Sequence, residues 1–347
     1  MKYSIIVPVY NRPDEIDELL GSLTKQTFTN FEVLIIEDGS TCPCKEVCKV
    51  YQNELDIKYY VKSNSGPGQT RNYGAERAKG EYLIILDSDV VVPHDYFEEV
   101  EKELKANPVA AFGGPDRAHT SFTDTQKAIS YSMTSFFTTG GIRGGKKKLD
   151  KFYPRSYNMG VRREVYQKLG GFSKMRFGED IDFSIRIFKS GYQCQLFPKA
   201  WVWHKRRTDF KKFFRQVFNS GIARINLYKK YPESLKLVHL LPMVFTVGVA
   251  FLSLFIICGV LLWTLSDTAS CIGKILFLIG VLPLFVYSGA ILIDSTHHYL
   301  SLKIGLLSVR AAFIQLIGYG LGFINAWYKR CVKGKDEFHA FDKTFYK

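Results

Sequence analysis

Carboxylates that follow apolar, strand-like runs are the side chains of this 347-residue sequence best suited to chemistry. Asp87 and Asp89 follow the run YLIIL in the order Asp-Ser-Asp, and Asp38 ends the run FEVLIIED. Two carboxylates two residues apart at the exit of a strand can supply oxygen ligands to a divalent cation. Asp38 could accept hydrogen bonds from a nucleobase or a ribose, although Asp and Gly are also common in plain turns.

Two further acidic residues, Glu179 and Asp180, lie in RFGEDIDFSIRI at the start of a helical pattern. Such side chains can act as general bases, but acidic residues at a helix N-terminus are also routine capping groups.

His204 ends the strand-like run LFPKAWVWH. A single histidine is more often a structural residue than a metal ligand, so its role depends on its neighbours.

The elements that must position these side chains alternate between strand-like and helix-like patterns. SIIVPV, FEVLIIE, IKYYV, EYLIILD and VAAFGG are short runs rich in β-branched or aromatic residues. Several of these runs have an apolar stretch without polar alternation, as expected of parallel strands that are covered on both faces. The pattern PDEIDELLGSLTKQ, between the first two runs, predicts a helix. This alternation predicts an α/β fold with a mostly parallel, doubly wound sheet. Ligands of such sheets bind beyond the carboxyl ends of the strands.

Short motifs occur in a fixed order along residues 2–205: VPVYN, EDGS, GPGQTRN, GEYLIILDSD, YNMG, GGF, GED and a later histidine. Together they resemble the family-2 nucleotide-sugar glycosyltransferases of GT-A fold. The resemblance implies a Rossmann-like GT-A catalytic domain that uses a nucleotide-sugar donor. It also implies a divalent cation, Mn²⁺ or Mg²⁺, as cofactor.

The resemblance further implies the roles of single residues at the donor site. Asp38 matches the aspartate that contacts the nucleobase, and Arg71 matches a basic residue near the diphosphate. Asp89 matches the main metal ligand of the DxD motif, and Asp87 would bind ribose or metal. His204 would contribute to binding of the metal or the diphosphate. The other nucleotide-sugar contacts are expected at Pro8, Val9, Tyr10 and Ser88.

Asp180 matches the catalytic base of the family, and Glu179 lies beside it. A base here would take the proton of an acceptor hydroxyl in a single displacement, which inverts the anomeric configuration. Processive synthases of the family carry a QxxRW motif after the base, whereas the corresponding region here reads RQVFNSGIAR. This departure predicts non-processive transfer of a single sugar.

Three apolar segments follow the motifs, at about residues 237–265, 275–293 and 304–328. About 20 apolar residues cross a hydrocarbon core of about 30 Å, so the first two segments qualify, while Arg310 interrupts the third. Three full spans would place the cationic residues after the third segment opposite the catalytic domain, against the positive-inside rule. Two spans and a re-entrant or interfacial third segment avoid this conflict and are preferred, with residues 266–274 as the outward turn.

Two other regions allow alternative interpretations. Residues 209–232 combine apolar positions at helical spacing with a basic face, which suits either a helix in the membrane interface or a core-facing helix of the soluble domain. Between Pro115 and Pro154 periodicity is lost, which predicts a long loop with GGIRGG and three lysines. Such a loop is either solvated or covers the substrate.

Composition excludes other classes of protein. The net charge of +14 comes without a nucleic-acid motif, and its cations flank the apolar segments, where anionic lipid would attract them. Seven irregularly spaced cysteines do not form a secreted disulfide framework. Cys42, Cys44 and Cys48 lack a fourth ligand at zinc spacing, so ordinary thiols are the better interpretation. The apolar start is interrupted from Asn11 onward, too early for a signal peptide.

These patterns predict four regions: a GT-A catalytic domain over 1–207, amphipathic interfacial helices over 208–234, a transmembrane region over 235–328 and a basic, cytosolic-type tail over 329–347. The expected location is the cytoplasmic (inner) membrane, multi-pass, with the catalytic domain facing the cytosol. The expected partners are a nucleotide sugar such as a UDP-sugar, a lipid-linked or polysaccharide acceptor of glycan synthesis, and the membrane, without nucleic acid. A polyprenyl-phosphate sugar synthase and a non-catalytic nucleotide-binding membrane scaffold stay open as alternatives.

Overall fold

The computed structural model describes residues 1–117, 122–139, 152–175, 177–265 and 267–336. These residues form two compact units. The first unit contains the described residues up to 117 and those from 152 to 205. The second unit contains residues 122–139 and 206–336.

All the strands belong to the first unit among the described residues. They are β1 (Tyr3–Val9), β2 (Phe31–Asp38), β3 (Ile57–Lys62), β4 (Tyr82–Leu86), β5 (Val90–Val91), β6 (Ala111–Gly113), β7 (Asp116–Arg117), β8 (Asn158–Arg162), β9 (Cys194–Leu196) and β10 (Val202–His204). The α-helices of both units are α1 (Pro13–Leu23), α2 (Lys45–Tyr51), α3 (Pro67–Arg77), α4 (Tyr96–Ala106), α5 (Asp124–Thr134), α6 (Phe136–Thr139), α7 (Arg163–Lys168), α8 (Glu179–Lys189), α9 (Phe210–Lys230), α10 (Leu241–Trp263), α11 (Asp267–Tyr299) and α12 (Leu302–Trp327).

Seven strands form the main sheet, in the spatial order β3-β2-β1-β4-β8-β6-β9. Neighbouring strands are parallel except at β8, which is antiparallel to both β4 and β6. The prediction of a mostly parallel α/β sheet is therefore confirmed. Strand order reverses at β1, between β2 and β4, and this is the point where open sheets of this kind bind ligands. A second, three-stranded sheet has the order β5-β10-β7.

Successive residues of the central strands alternate between two hydrophobic cores. Ile5 and Val7 of β1 pack in one core with residues of α1, α2 and α4. Ile6, between them, packs in the other core with residues of α3, α7 and α8. Because both faces of the sheet are covered, these strands are mostly apolar on both faces rather than alternating.

The motif YNMG forms part of β8, a strand that the apolar patterns did not predict. The Asn158 side chain accepts a hydrogen bond from the Tyr96 hydroxyl at 2.7 Å and donates one to the Ala200 carbonyl at 2.8 Å. Gly160 lies against the Phe112 ring, where any Cβ would collide. Two residues of this motif therefore have a structural role.

The loop predicted between Pro115 and Pro154 is wrong over three parts: 116–117 form β7, 124–134 form α5 and 136–139 form α6. Thr123 and Gln126 form a capping box at the start of α5, a sequence signal that the lack of long periodicity obscured. Ala128 and Ile129, on the narrow apolar face of α5, are buried in a hydrophobic core of the second unit. Residues 118–121 and 140–151, including GGIRGG and the three lysines, lie outside the described residues.

The second unit also contains the three apolar segments. The helices α10, α11 and α12 are long and apolar enough to cross a membrane, which confirms the three predicted segments as candidate membrane helices. The turn predicted over 266–274 is wrong from residue 267 onward, because α11 already begins there. Ser266 and, in the predicted tail, residues 337–347 lie outside the described residues.

Candidate functional site

The Asp-Ser-Asp segment connects the two sheets of the first unit. It leaves the carboxyl end of β4 at Asp87 and enters β5 after Asp89. Because β10 pairs with β5, His204 is placed opposite Val90, the residue after Asp89. His204 Nε2 lies 3.1 Å from Asp89 Oδ1. One potential ligand atom from each of Asp87, Asp89 and His204 lies within 4.8 Å of the other two.

The donor atoms of this group suit a divalent cation. Two carboxylates offer oxygen and the imidazole offers nitrogen. This mixed set fits a transition ion such as Mn²⁺ better than Mg²⁺, which prefers oxygen ligands and retains water. In the part of the chain that the structure describes, no other cluster of three His, Cys, Asp or Glu side chains comes this close together.

The cysteine cluster that could have held a metal is divided between surface and core. Cys42 is exposed, while Cys44 and Cys48 are buried in the hydrophobic core beside α2. The two buried sulfurs lie 4.0 Å apart. None of the three forms a disulfide bond.

His204 is surrounded by negative charge. Burial alone would lower its pKa, but Asp89, Asp116 and Asp87 together raise the pKa of His204 to about 10. Asp116 Oδ2 lies 3.9 Å from Nδ1, and the Tyr157 ring stacks on the imidazole with centroids 4.7 Å apart. A histidine must lose its proton from the nitrogen that binds a metal, so the apparent affinity of this site for a cation rises with pH.

A buried arginine joins this group to the second pair of carboxylates. Arg71, on α3, is only 3% exposed. It donates hydrogen bonds to Asp87 Oδ1 at 2.6 Å and to Glu179 Oε1 at 3.1 Å. Asp180 follows Glu179 in the first turn of α8. Acidic residues that are far apart in the sequence therefore meet at one edge of the sheet, and Arg71 neutralises part of their mutual repulsion.

Asp180 has few competing partners for its carboxylate. Its Oδ1 accepts a hydrogen bond from the backbone amide of Ile181 at 2.8 Å. Its Oδ2 lies 3.5 Å from a guanidinium nitrogen of Arg155. Arg155 follows a stretch without periodicity, so no pattern in the sequence indicated that it would lie near the acidic pair.

Two motifs meet to hold the start of α8 in place. Asn72, from GPGQTRN, accepts a hydrogen bond from the Phe172 amide and donates one to the Phe172 carbonyl, both at 2.8 Å. Arg186 of α8 donates to the Gly171 carbonyl at 2.6 Å and pairs with the buried Asp182 at 2.9 Å. These contacts tie the GGF turn to α3 and to α8, and so they fix the position of the acidic pair.

Asp38 lies at the carboxyl end of β2 and is 1% exposed. Its Oδ1 accepts hydrogen bonds from Lys62 Nζ and the Ser65 amide, each at 2.8 Å. Its Oδ2 accepts one from the Gly66 amide at 2.9 Å. Asp38 thus fixes the loop that precedes α3, and its contact with a nucleobase stays a prediction.

The other residues predicted at the donor site lie at the ends of two strands. Pro8 and Val9 are the last residues of β1, Tyr10 follows them, and Ser88 lies beyond the end of β4. The Ser88 hydroxyl donates to Glu15 Oε2 at 3.1 Å. Glu15, on α1, is a further carboxylate at this edge, and its pKa is raised by burial and by Asp89. Sequence patterns missed Glu15 because its helix and the Asp-Ser-Asp segment meet only in the folded chain.

Burial and the neighbouring Asp180 raise the pKa of Glu179 to about 7, although Arg71 opposes the shift. A carboxyl whose pKa is raised on folding stabilises the fold below its ordinary pKa, and this contribution is lost as the pH rises through 7. Glu179→Gln keeps the neutral form at every pH. We expect its unfolding temperature to exceed that of the wild type at pH 8, with a free-energy gain of at most about 3 kcal/mol, and to match it near pH 4.5.

Thermal unfolding of the detergent-solubilised protein at both pH values measures this effect. Glu98→Gln, at an exposed position of α4, serves as a matched control that should change little at either pH. A Glu179→Gln variant less stable than the wild type at pH 8 would show that the ion pair with Arg71 outweighs burial.

Comparison with known proteins gives a match to one family model and a shared fold. The family model of glycosyl transferase family 2 matches residues 4–170. An uncharacterised glycosyltransferase of Rickettsia felis is 36% identical over 143 residues, which are 41% of this chain and 23% of the relative. The poly(ribitol-phosphate) beta-N-acetylglucosaminyltransferase TarS of Staphylococcus aureus is 44% identical over 93 residues, 26% of this chain and 16% of the relative. This chain thus spans less than a quarter of either relative.

Among solved structures, a mannosyltransferase of Pyrobaculum calidifontis, in complex with GDP-Man and Mn²⁺, aligns over 95% of this chain and 88% of its own. The TM-score is 0.58 at 15% identity, which shows a shared fold. The predicted GT-A fold is confirmed.

Proposed function

Because residues 4–170 belong to glycosyl transferase family 2, we propose that this chain transfers one sugar, with inversion, from a nucleotide sugar such as a UDP-sugar. The acceptor is a lipid-linked or polysaccharide glycan of the cell envelope or an exopolysaccharide. One observation carries the proposal: the group of Asp87, Asp89 and His204 is linked through Arg71 to the pair that contains Asp180.

Each part of the site has a role in this reaction. A bound cation supplies positive charge that stabilises the leaving nucleoside diphosphate. Asp87, Asp89 and His204 would hold it, and Arg71 would keep Asp87 in place. Asp180 accepts the proton of the acceptor hydroxyl as that oxygen attacks the anomeric carbon, and the single displacement inverts the configuration.

The apolar helices support a membrane location for the acceptor. We assign the chain to the cytoplasmic (inner) membrane as a multi-pass protein whose first unit faces the cytosol, where nucleotide sugars are made. Helices in the same chain would keep that unit close to a lipid-linked acceptor. They equally suit direct transfer to polyprenyl phosphate, which is the second candidate reaction.

A donor screen tests the proposal. Purified full-length protein in detergent is incubated with UDP- and GDP-sugars and a lipid extract, in Mn²⁺, Mg²⁺ or a chelator. We expect one donor to give nucleoside diphosphate and a sugar-labelled product only with the cation present. Labelled lipid monophosphate identifies the second candidate, whereas an extended glycan supports the first. Donor binding without any release in all conditions contradicts both and favours a non-catalytic scaffold.

A further inference from the structure

The helices α10 and α11 form a closely packed antiparallel hairpin. Gly259 and Gly280 allow the two backbones to meet, since a Cβ on Gly259 would lie 2.6 Å from the Phe277 amide nitrogen and one on Gly280 would lie 2.7 Å from the Leu252 carbonyl oxygen. In the most apolar 18-residue stretch of each helix, only 11% is buried within the protein. Over residues 241–263 and 275–293 the exposed side chains of the two helices are apolar, as those of helices surrounded by lipid are.

The third apolar helix is in a different environment. In the most apolar 18-residue stretch of α12, 44% is buried within the protein. Ser308 hydrogen-bonds Ser295 of α11 at 2.7 Å, and Phe313 packs on Phe245 of α10 at 5.6 Å. Further along α12, the Leu316 carbonyl accepts a hydrogen bond from Thr246 at 3.3 Å.

These contacts show that α12 crosses α10 instead of following it. A Cβ on Gly320 of α12 would lie 2.5 Å from the Pro242 carbonyl oxygen. Between Phe313 and Gly320, α12 advances by about 10 Å along its own axis. Its partners on α10 stay within the first turns of that helix, at residues 242–246. The first half of α12 runs back along the end of α11, from Thr296 beside Gly305 to Tyr287 beside Phe313. A third span would continue in this direction along the hairpin toward its turn.

The helix α9 lies alongside α12 and runs in the same direction. Arg310 of α12 lies 4.7 Å from the Phe210 ring centroid at the start of α9. A Cβ on Gly221 would lie 2.7 Å from the Phe323 amide nitrogen. Near the end of the pair, Arg330 donates to Asn226 at 2.6 Å. The helix α9 is therefore in contact with α12 and the helical turn that follows it (Tyr328–Val332) over about 24 Å of its length, most of the thickness of a hydrocarbon core.

A membrane-spanning α12 would draw α9 into the hydrocarbon with it. The exposed face of α9 carries cations in its first two turns and in its last turn: Lys211, Lys212, Arg215, Lys229 and Lys230. Between them lies the half-buried Arg224, which a spanning α9 would place within the hydrocarbon. An arginine or lysine at the centre of a bilayer costs about 3 kcal/mol or more. In the headgroup layer, the same cations would meet anionic lipid.

We propose that the chain crosses the bilayer twice, through α10 and α11, and that α9 and α12 lie together in the headgroup layer. The occupant of the cationic face of α9 is the anionic lipid surface. The cations that follow α12 are then on the same side as the first unit, in accord with the positive-inside rule. Trp327 and Tyr328, both exposed, would lie at the level where aromatic side chains favour the interface. This inference stands independently of the proposed sugar transfer.

Two native cysteines test the topology. Cys42 lies in the first unit, Cys331 follows α12, and both are exposed. Sealed membrane vesicles of each orientation are treated with a membrane-impermeant maleimide, and the labelled peptides are identified by mass spectrometry. Labelling of both cysteines from the same side supports two spans, and labelling from opposite sides overturns the proposal. If lipid shields Cys331, a cysteine introduced by Lys335→Cys reports the side of the same segment. A cysteine introduced by Thr264→Cys, at the turn between α10 and α11, should be labelled from the opposite side.

Spin labels test the depth of α9 directly. In reconstituted vesicles containing anionic lipid, a label on Ser220→Cys, an exposed position in the middle of α9, is compared with one on Ile257→Cys, an exposed position of α10. We expect the label on α9 to be accessible to a water-soluble nickel chelate and the label on α10 to be accessible mainly to oxygen. Equal, oxygen-dominated accessibility at both positions would place α9 within the hydrocarbon and contradict the proposal.

Discussion

Asp180→Asn should lower the rate of sugar transfer by about 10²- to 10⁴-fold, the usual contribution of a general base. The amide keeps the size of the side chain and can still accept a hydrogen bond from the Ile181 amide, but it cannot take a proton from the acceptor. The loss should appear in kcat, while donor affinity and cation affinity stay within a factor of about three. Steady-state kinetics with the donor identified by the screen measure both quantities.

Asp56→Asn is the matched control, because it makes the same chemical change at an exposed position of the first unit. This variant should transfer sugar at the wild-type rate. If Asp180→Asn retains full turnover, Asp180 is not the base, and Glu179 becomes the residue to test.

Asp89→Asn should weaken cation binding at least about tenfold and reduce cation-dependent transfer by about 10² or more, because a neutral amide is a poorer ligand than a carboxylate. Excess Mn²⁺ should restore part of the activity, which separates a binding defect from unfolding. Transfer rates measured over a range of Mn²⁺ concentrations give both the affinity for the cation and the maximal rate of transfer. An unchanged Mn²⁺ requirement would exclude Asp89 as a ligand.

The same titration at several pH values tests His204. Because the pKa of His204 is about 10 without a cation, cation binding must displace a proton, and wild-type affinity should increase with pH between 6 and 8. His204→Ala should bind the cation more weakly and with a shallower pH dependence. An equally steep dependence in the variant would assign the displaced proton to another group.

Long apolar runs made the fold predictable. β2 is buried at all eight positions, so its composition alone indicated a strand covered on both faces. β8 was missed because NMGVR owes its place in the sheet to Asn158 and to the space at Gly160 rather than to apolar residues. α5 was missed because its stability comes from a capping box and from packing on α12. Local patterns predict elements that bury whole faces, and they miss elements that depend on a few tertiary contacts.

The residues of the candidate site also divide into those that local sequence patterns predict and those that they miss. The Asp-Ser-Asp segment and the acidic pair were visible as motifs, since each occupies consecutive positions after a strand or before a helix. The neighbours of His204 were not, because Asp116 and Tyr157 reach the imidazole from other parts of the chain. The expectation that Arg71 lies near a diphosphate stays a prediction, and the structure adds that its terminal nitrogens bind Asp87 and Glu179, a pairing that the sequence did not reveal. Which charges pair with one another depends on the register of folded elements, and spacing in the sequence does not reveal it.

In the proposed site, acidic residues from distant parts of the chain surround one cation and one nucleotide sugar. A structure of the Asp180→Asn variant with Mn²⁺ and the donor from the screen is the decisive test, because the variant should bind the donor without consuming it. We expect Mn²⁺ in coordination with Asp89 and His204 and with the donor diphosphate, and the substituted amide side chain at position 180 facing the anomeric carbon. A cation bound elsewhere, or a donor remote from position 180, would contradict the proposed chemistry.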